Sequence, residues 1–229
     1  MMLDSGVDRR PPPARAGLVS RMIAVIGQLV LPVLFCAAAL ALAWSCRGEA
    51  ATDFRFLKDL HPSLDPAADG WLTWGTLLLP VIFFVLNLTN RRYGPALALG
   101  AALLAWVFIA GGIVWSLREG LIHSASEIAP PGRAGAFFGA MLLGQIVNVC
   151  LFDWFRGIPW WKAPFVAALF GGLTFTVVFH VATGGGLDEE ALPRLAALVG
   201  LQLIWACFQL VPTRFLRRAI RPCPGYGGA

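Results

Sequence analysis

GQIVNVCLFDWFRGIPWWKAP, running from Gly144 to Pro164, decides how this chain is read. Its first half is apolar but carries Gln145 and Asn148, three residues apart and therefore on one face of a helix. Its second half leaves the apolar run through Arg156, Trp160, Trp161 and Lys162, residue types that gather where a membrane meets water. One segment thus holds the end of a membrane span, a turn and the start of the next span.

Composition supports the same reading along the whole chain. With 58% hydrophobic residues, 14% charged residues and a mean hydropathy of +0.70, the 229 residues lie far from the make-up of a soluble domain. A backbone in hydrocarbon must satisfy its own hydrogen bonds, and the apolar runs are too long for barrel strands. The expected fold class is all-α, a bundle of six transmembrane helices near Met22–Trp44, Trp71–Asn87, Ala96–Trp115, Ala134–Phe155, Trp161–Ala182 and Leu195–Val211. Residues 1–21 read as an N-terminal arm, 22–212 as the transmembrane domain and 213–229 as a basic tail. The longest gap, Ser45–Gly70, reads as a charged loop with Pro62 and Pro66 rather than as a second domain.

Basic residues alternate from side to side. Arg9, Arg10, Arg15, Arg21, Arg91, Arg92, Arg156, Lys162 and four arginines of the tail put twelve of the eighteen on one face, while ten of the thirteen acids fall on the other. The positive-inside rule then makes both termini cytoplasmic. Arg91, Arg92, Arg156, Trp160, Trp161 and Lys162 are the expected interface anchors. The first apolar run exceeds the ~7–15 residues of a signal-peptide core, so it is expected to remain as a helix. A pI near 9.3 needs no nucleic acid, because clustered cytoplasmic basic residues and anionic lipid headgroups explain it.

Enzymatic signatures are missing. There is no GxSxG, HExxH or phosphate-binding glycine loop, and no CxxC or close Cys/His cluster, so neither catalysis nor a metal or cofactor is expected. His180 reads as interfacial near the outer end of the fifth span.

What remains is polarity inside the spans, which usually faces a bundle interior or a water-filled cavity. Gln145 and Asn148 share a face of span four, beside the small residues Gly139, Ala140 and Gly144 that allow close helix approach. Asn87 ends span two, and Asn90 to Pro95 read as a turn in which Gly94 takes positive φ and Pro95 opens the next helix. Span six adds Gln202 and Gln209, and span five Thr174 and Thr176. Two readings stand: the amides hydrogen-bond across helices, at about 0.6 kcal/mol each, or with rings such as Trp74, Phe83, Phe84, Phe152 or Trp205 they line a site for a flat neutral heterocycle. Candidate binding residues are Asn87, Gln145, Asn148, Gln202 and Trp74.

Thr73-Trp74-Gly75, Pro80 and Asn87 through Gly94 resemble the second span and following loop of queuosine-precursor transporters of the vitamin-uptake-transporter type. Ser126–Ala129, Gly144-Gln145, Val149, Phe152, Arg156, Trp160–Pro164, Gly171, Thr176, Phe179 and Pro212 continue the resemblance in order. It implies a six-helix bacterial inner-membrane protein that imports 7-cyano-7-deazaguanine or its aminomethyl relative; a homo-oligomer and a complex with a membrane partner are both open. The chain departs from that pattern at four places. Asn87 and Asn148 stand where the family carries Asp, Phe175 at another family Asp position, and Gln202 where it carries Lys. Two outcomes are open: a transporter for a neutral substrate, or an accessory subunit that kept the fold and lost transport.

Neutralising Arg156 or Lys162 is expected to lower the amount of protein inserted in the membrane more than it alters specificity, checked by membrane-fraction yield beside substrate competition.

Overall fold

A computed structural model describes residues 18–69, 71–124, 130–186, 188–189 and 191–223. Arg9, Arg10 and Arg15 of the N-terminal arm, Ser126–Ala129 and the end of the tail lie outside the described residues. The elements are α1 (Leu18–Ser45), two 3-10 turns (Thr52–Asp59 and Pro62–Leu64), α2 (Pro66–Asp69), α3 (Trp74–Leu78), α4 (Val81–Tyr93), α5 (Pro95–Arg118), α6 (Pro131–Trp154), α7 (Lys162–Ala182), α8 (Ala191–Phe208) and α9 (Leu210–Leu216). Six helical segments are long and apolar enough to cross a membrane, with α3–α4 and α8–α9 each forming one broken span. No strand occurs among the described residues beyond a single bridge between Ala50 and Thr73. The chain is a multi-pass helical membrane protein.

Span two is the centre of the bundle. Helix α4 touches α1, α5, α6 and α7, and its segment is the most buried and least apolar of the six. Those two facts belong together, because a helix screened from lipid by neighbours can carry polar side chains that a lipid-facing helix cannot. Large apolar side chains such as Ile23, Leu31, Phe35, Val107 and Phe108 face outward instead, as contact with acyl chains requires. The core beneath them joins Cys36 and Leu40 of α1, Ile82, Phe83 and Leu86 of α4, Ala98 and Ala102 of α5, and Met141 and Val149 of α6.

Local sequence explains the helix ends. Thr73 caps α3, its Oγ1 accepting from the Thr76 N–H at 3.1 Å. Pro80 has no N–H to continue that helix, so the chain tightens there and restarts as α4. Gly94 takes φ 88° and Pro95 opens α5, both as expected from the sequence. The expected turn at Asn90, however, is displaced. Helix α4 runs on to Tyr93, because Asn90, Arg91 and Arg92 all tolerate helical backbone and only the glycine forces the reversal. Span two is therefore longer at this end than hydropathy suggests.

The Ser45–Gly70 segment is more organised than a charged loop. Its described part packs with the start of span two into a cap in which Ala51, Leu72 and Leu77 are buried against Phe54, Leu57, Trp71, Leu198 and Leu201. The Arg194 guanidinium ties the cap to α8 by donating to the Ser63 carbonyl at 2.9 Å. Apolar residues spaced between charges were enough for a small cluster.

Helices α6 and α7 share the most extensive contact in the bundle. A Cβ placed on Gly144 would lie 2.7 Å from the Gly171 carbonyl oxygen, and one on Gly171 would lie 2.9 Å from the Gly144 oxygen and 2.8 Å from the Asn148 Cβ. Only hydrogen fits at either position. Ala140 is buried along the same stripe, but Gly139 is exposed with open space around it, so it takes no part in the approach expected of it. Gly171→Val should cost about 1–3 kcal/mol by overpacking, whereas Gly139→Val should change stability by less than about 0.5 kcal/mol. Thermal unfolding of the two purified variants checks the contrast.

Candidate functional site

Helical spacing places the polar residues of α4 and α6 on faces that meet. Phe83, Asn87 and Asn90 fall at i, i+4 and i+7 of one stripe, and Gln145 and Asn148 at i and i+3 of the other. Asn87, Asn90, Gln145 and Asn148 are each at most 1% exposed. The α6–α7 approach seats Asn148 against Gly171, with the Phe83 ring on the same glycine. Gln145, three residues earlier on α6, accepts the indole N–H of Trp106 at 3.0 Å.

Two further knots lie closer to the end where α4, α6 and α9 stop. In the first, the Asn87 amide donates to the Pro164 carbonyl at 3.2 Å and to Gln209 Oε1 at 3.3 Å, while Gln209 Nε2 donates to the same carbonyl at 2.9 Å. Spans two, five and six are joined there. In the second, Asn90 Nδ2 donates to the Val149 carbonyl at 3.0 Å, and Arg156 Nη2 donates to Asn90 Oδ1 at 2.7 Å. Arg156 also pairs with Asp153 at 3.1 Å, and its side chain is only 9% exposed.

The amide cluster is incompletely satisfied. Among the described residues, Asn87 Oδ1, Gln145 Nε2 and both polar atoms of Asn148 are buried with no hydrogen-bond partner. Each such atom costs roughly 1–3 kcal/mol if nothing answers it. Native cores rarely keep several such atoms, and here Asn87 on α4 and Gln145 and Asn148 on α6 retain hydrogen-bonding capacity that the described residues do not use. A small cavity of about 20 Å³ adjoins Asn87, Phe152, Ala163 and Pro164, room for roughly one water.

Not every expected residue joins this cluster. Gln202 lies on a different face of α7, against Gly172, donating to Thr176 Oγ1 at 3.3 Å. Trp74 sits at the far end of span two, its ring edge-on to Phe54 in the cap. Phe175 is packed against Gly144 and makes ring contacts with Phe137 and Phe179. Of the expected anchors, Arg92 and Lys162 are exposed and Trp161 is 44% exposed, while Trp160 lies under the Arg217 guanidinium at 5.1 Å. Arg91 donates to the Ile220 carbonyl at 3.1 Å, and Arg156 to Asn90 Oδ1 at 2.7 Å. His180 holds the Gly186 carbonyl at 2.9 Å.

Sequence reading missed Trp106 and Asn90. Both left a signal. A tryptophan in mid-span is far from the interface that usually holds it and needs a partner for its N–H. Asn90 follows Asn87 by the same three residues that link Gln145 and Asn148, so continuing the helix one more turn brings it onto the polar face.

These features define a helical membrane protein whose interior carries buried, neutral amides. Comparison with known proteins gives it a relationship. The chain is similar to the queuosine precursor transporter of Escherichia coli (strain K12), 34% identical over 120 residues that cover 47% of this chain and 52% of the relative. A probable queuosine precursor transporter of Haemophilus influenzae is 30% identical over 119 residues, covering 47% of this chain and 49% of that protein. The chain spans about half the length of the curated relatives it matches. These relatives bear out the resemblance drawn from the sequence motifs. No family model and no solved structure matches the chain.

Arg156→Gln should destabilise the protein by about 1.5–3 kcal/mol, because charge-assisted bonds to Asn90 and Asp153 are lost. Asn148→Leu removes two unpartnered atoms at similar volume and should leave stability unchanged or raise it by about 1 kcal/mol. Thermal melts in one detergent, run side by side, compare them.

Proposed function

We propose that this protein imports a neutral 7-deazaguanine, 7-cyano-7-deazaguanine before its aminomethyl relative, through the amide cluster of α4 and α6. The observation that carries the reading is the set of unpartnered buried atoms on Asn87, Gln145 and Asn148. The names of the two similar proteins support the transport role. A purine-like edge offers both donors and acceptors, which carboxamides can answer from either end, and the Phe83 ring beside Asn148 offers a surface for stacking.

Neutrality sets the substrate preference. An Asn keeps the shape of an Asp and its hydrogen bonding while giving up attraction for a cation, so the aminomethyl form gains nothing at Asn87 or Asn148. The cavity beside Asn87 is far smaller than a heterocycle, so binding requires α4 and α6 to separate. With no formal charge in the cluster, the simplest driving force is facilitated diffusion followed by trapping inside the cell. The membrane is the bacterial inner membrane, with both termini in the cytoplasm. An impermeant thiol reagent should then label Cys46 on intact spheroplasts and reach Cys223 only after permeabilisation.

Uptake of labelled 7-cyano-7-deazaguanine by a host that requires the precursor tests the transport reading. Asn148→Leu and Gln145→Leu should each lower uptake at least roughly tenfold with normal amounts of protein in the membrane. No uptake by the unaltered chain despite normal insertion defeats it. The tight packing of Phe175 on Gly144 favours the second reading, an accessory subunit that retains the fold without transport. Under that reading, purification in mild detergent yields a stable complex with another membrane protein; a solitary chain argues against it.

A further inference from the structure

Three spans end together at the face that carries the basic tail. Arg91 at the end of α4, Arg156 just after α6 and Arg217 just after α9 line one cleft, with Trp160 and Pro222 on its rim. These guanidiniums are held in place rather than splayed into solvent. Arg156 is fixed by Asn90 Oδ1 at 2.7 Å and by Asp153, Arg91 by the Ile220 carbonyl at 3.1 Å, and Arg217 by the Trp160 ring at 5.1 Å. The tail is itself latched over this end, the Cys223 N–H donating to the Arg91 carbonyl at 2.9 Å.

We propose that the opening of this cleft, whose interior of about 20 Å³ holds no more than about one water, is a binding site for a phosphate group. Asp153 offsets part of the Arg156 charge, but three guanidiniums brought to one cleft by three separate spans still repel one another, and an anion between them turns that repulsion into attraction. Guanidinium is also the side chain whose planar fork matches phosphate oxygens. Depth supports a ligand at headgroup level. On the neighbouring turn Ile158 is 94% exposed, and Trp154 at the end of α6 is 81% exposed, apolar groups that stay in water only at a cost and belong in the interfacial layer. The phosphate is that of an anionic lipid headgroup or free phosphate, and either would clamp spans two, four and six together.

The test uses the purified full chain in a zwitterionic detergent or nanodisc, melted while phosphatidylglycerol or inorganic phosphate is titrated in. A saturable rise in Tm is expected. Arg217→Ala should raise the half-saturating concentration by roughly tenfold or more, and Arg218→Ala, which removes the same charge from an exposed position outside the cleft, should leave it unchanged. A response to phosphatidylglycerol alone identifies the headgroup as the source, and a response to inorganic phosphate identifies free phosphate; both sustain the site. No saturable response of the unaltered chain to either overturns it, as does an equal loss in Arg217→Ala and Arg218→Ala, which would reduce the effect to diffuse surface charge. The unaltered chain decides the matter even if Arg217→Ala fails to fold.

Discussion

The approach of α6 to α7 at Gly144 and Gly171 is the constraint on which the rest of the bundle depends. With a hydrogen in place of a Cβ at both positions, the two backbones come close enough for each glycine to face the carbonyl of the other. In lipid there is little hydrophobic drive between helices, so such close packing supplies much of the association energy. The approach also decides what lies between the helices. Asn148 is pressed against Gly171, and Gln145 is turned toward Trp106 of α5. Helix α4 can then lie across both α6 and α7, its asparagines answering the Val149 and Pro164 carbonyls.

Polarity is sorted along the bundle by cost. Neutral amides occupy the deeper layers, where each unanswered atom costs a few kcal/mol at most, and arginines begin only where the helices end. Arg156 sits at the boundary between these regimes, nearly buried yet answered by an amide oxygen and a carboxylate. It couples the charged end of the molecule to the amide layer through Asn90. The four positions where the resemblance implies charge in relatives are not equivalent in space. Asn87 and Asn148 carry buried amides, Phe175 fills space between α6 and α7, and Gln202 is held by Thr176 on another face of α7. At the first two, buried polar atoms have no hydrogen-bond partner among the described residues, while Phe175 is taken up in ring packing and Gln202 in a hydrogen bond.

Much of the fold was legible because the bilayer imposes a length and a polarity on any helix that crosses it. All six spans, the positive φ at Gly94 and the start of α5 at Pro95 follow from local composition. Boundaries were less legible. Hydropathy marks where a helix leaves hydrocarbon, not where its hydrogen bonding stops, so α4 outran its expected end by a turn and a half of polar residues. The cap before span two was hidden for another reason: its apolar residues are too scattered to register until Leu198 and Leu201, far along the chain, complete the cluster.

For the site, the sequence by itself determined which residues were polar where polarity is expensive, and spacing alone put Gln145 with Asn148 on a common face. It also determined that the protein spans a membrane and how its basic residues alternate from side to side. Tertiary structure decided which of those residues meet. Helical periodicity orients a side chain about its own axis but carries no information on which neighbour faces it, so Trp74 and Gln202 were separated from the cluster, Asn90, Trp106 and Gln209 were drawn in, and three distant arginines came to share one cleft.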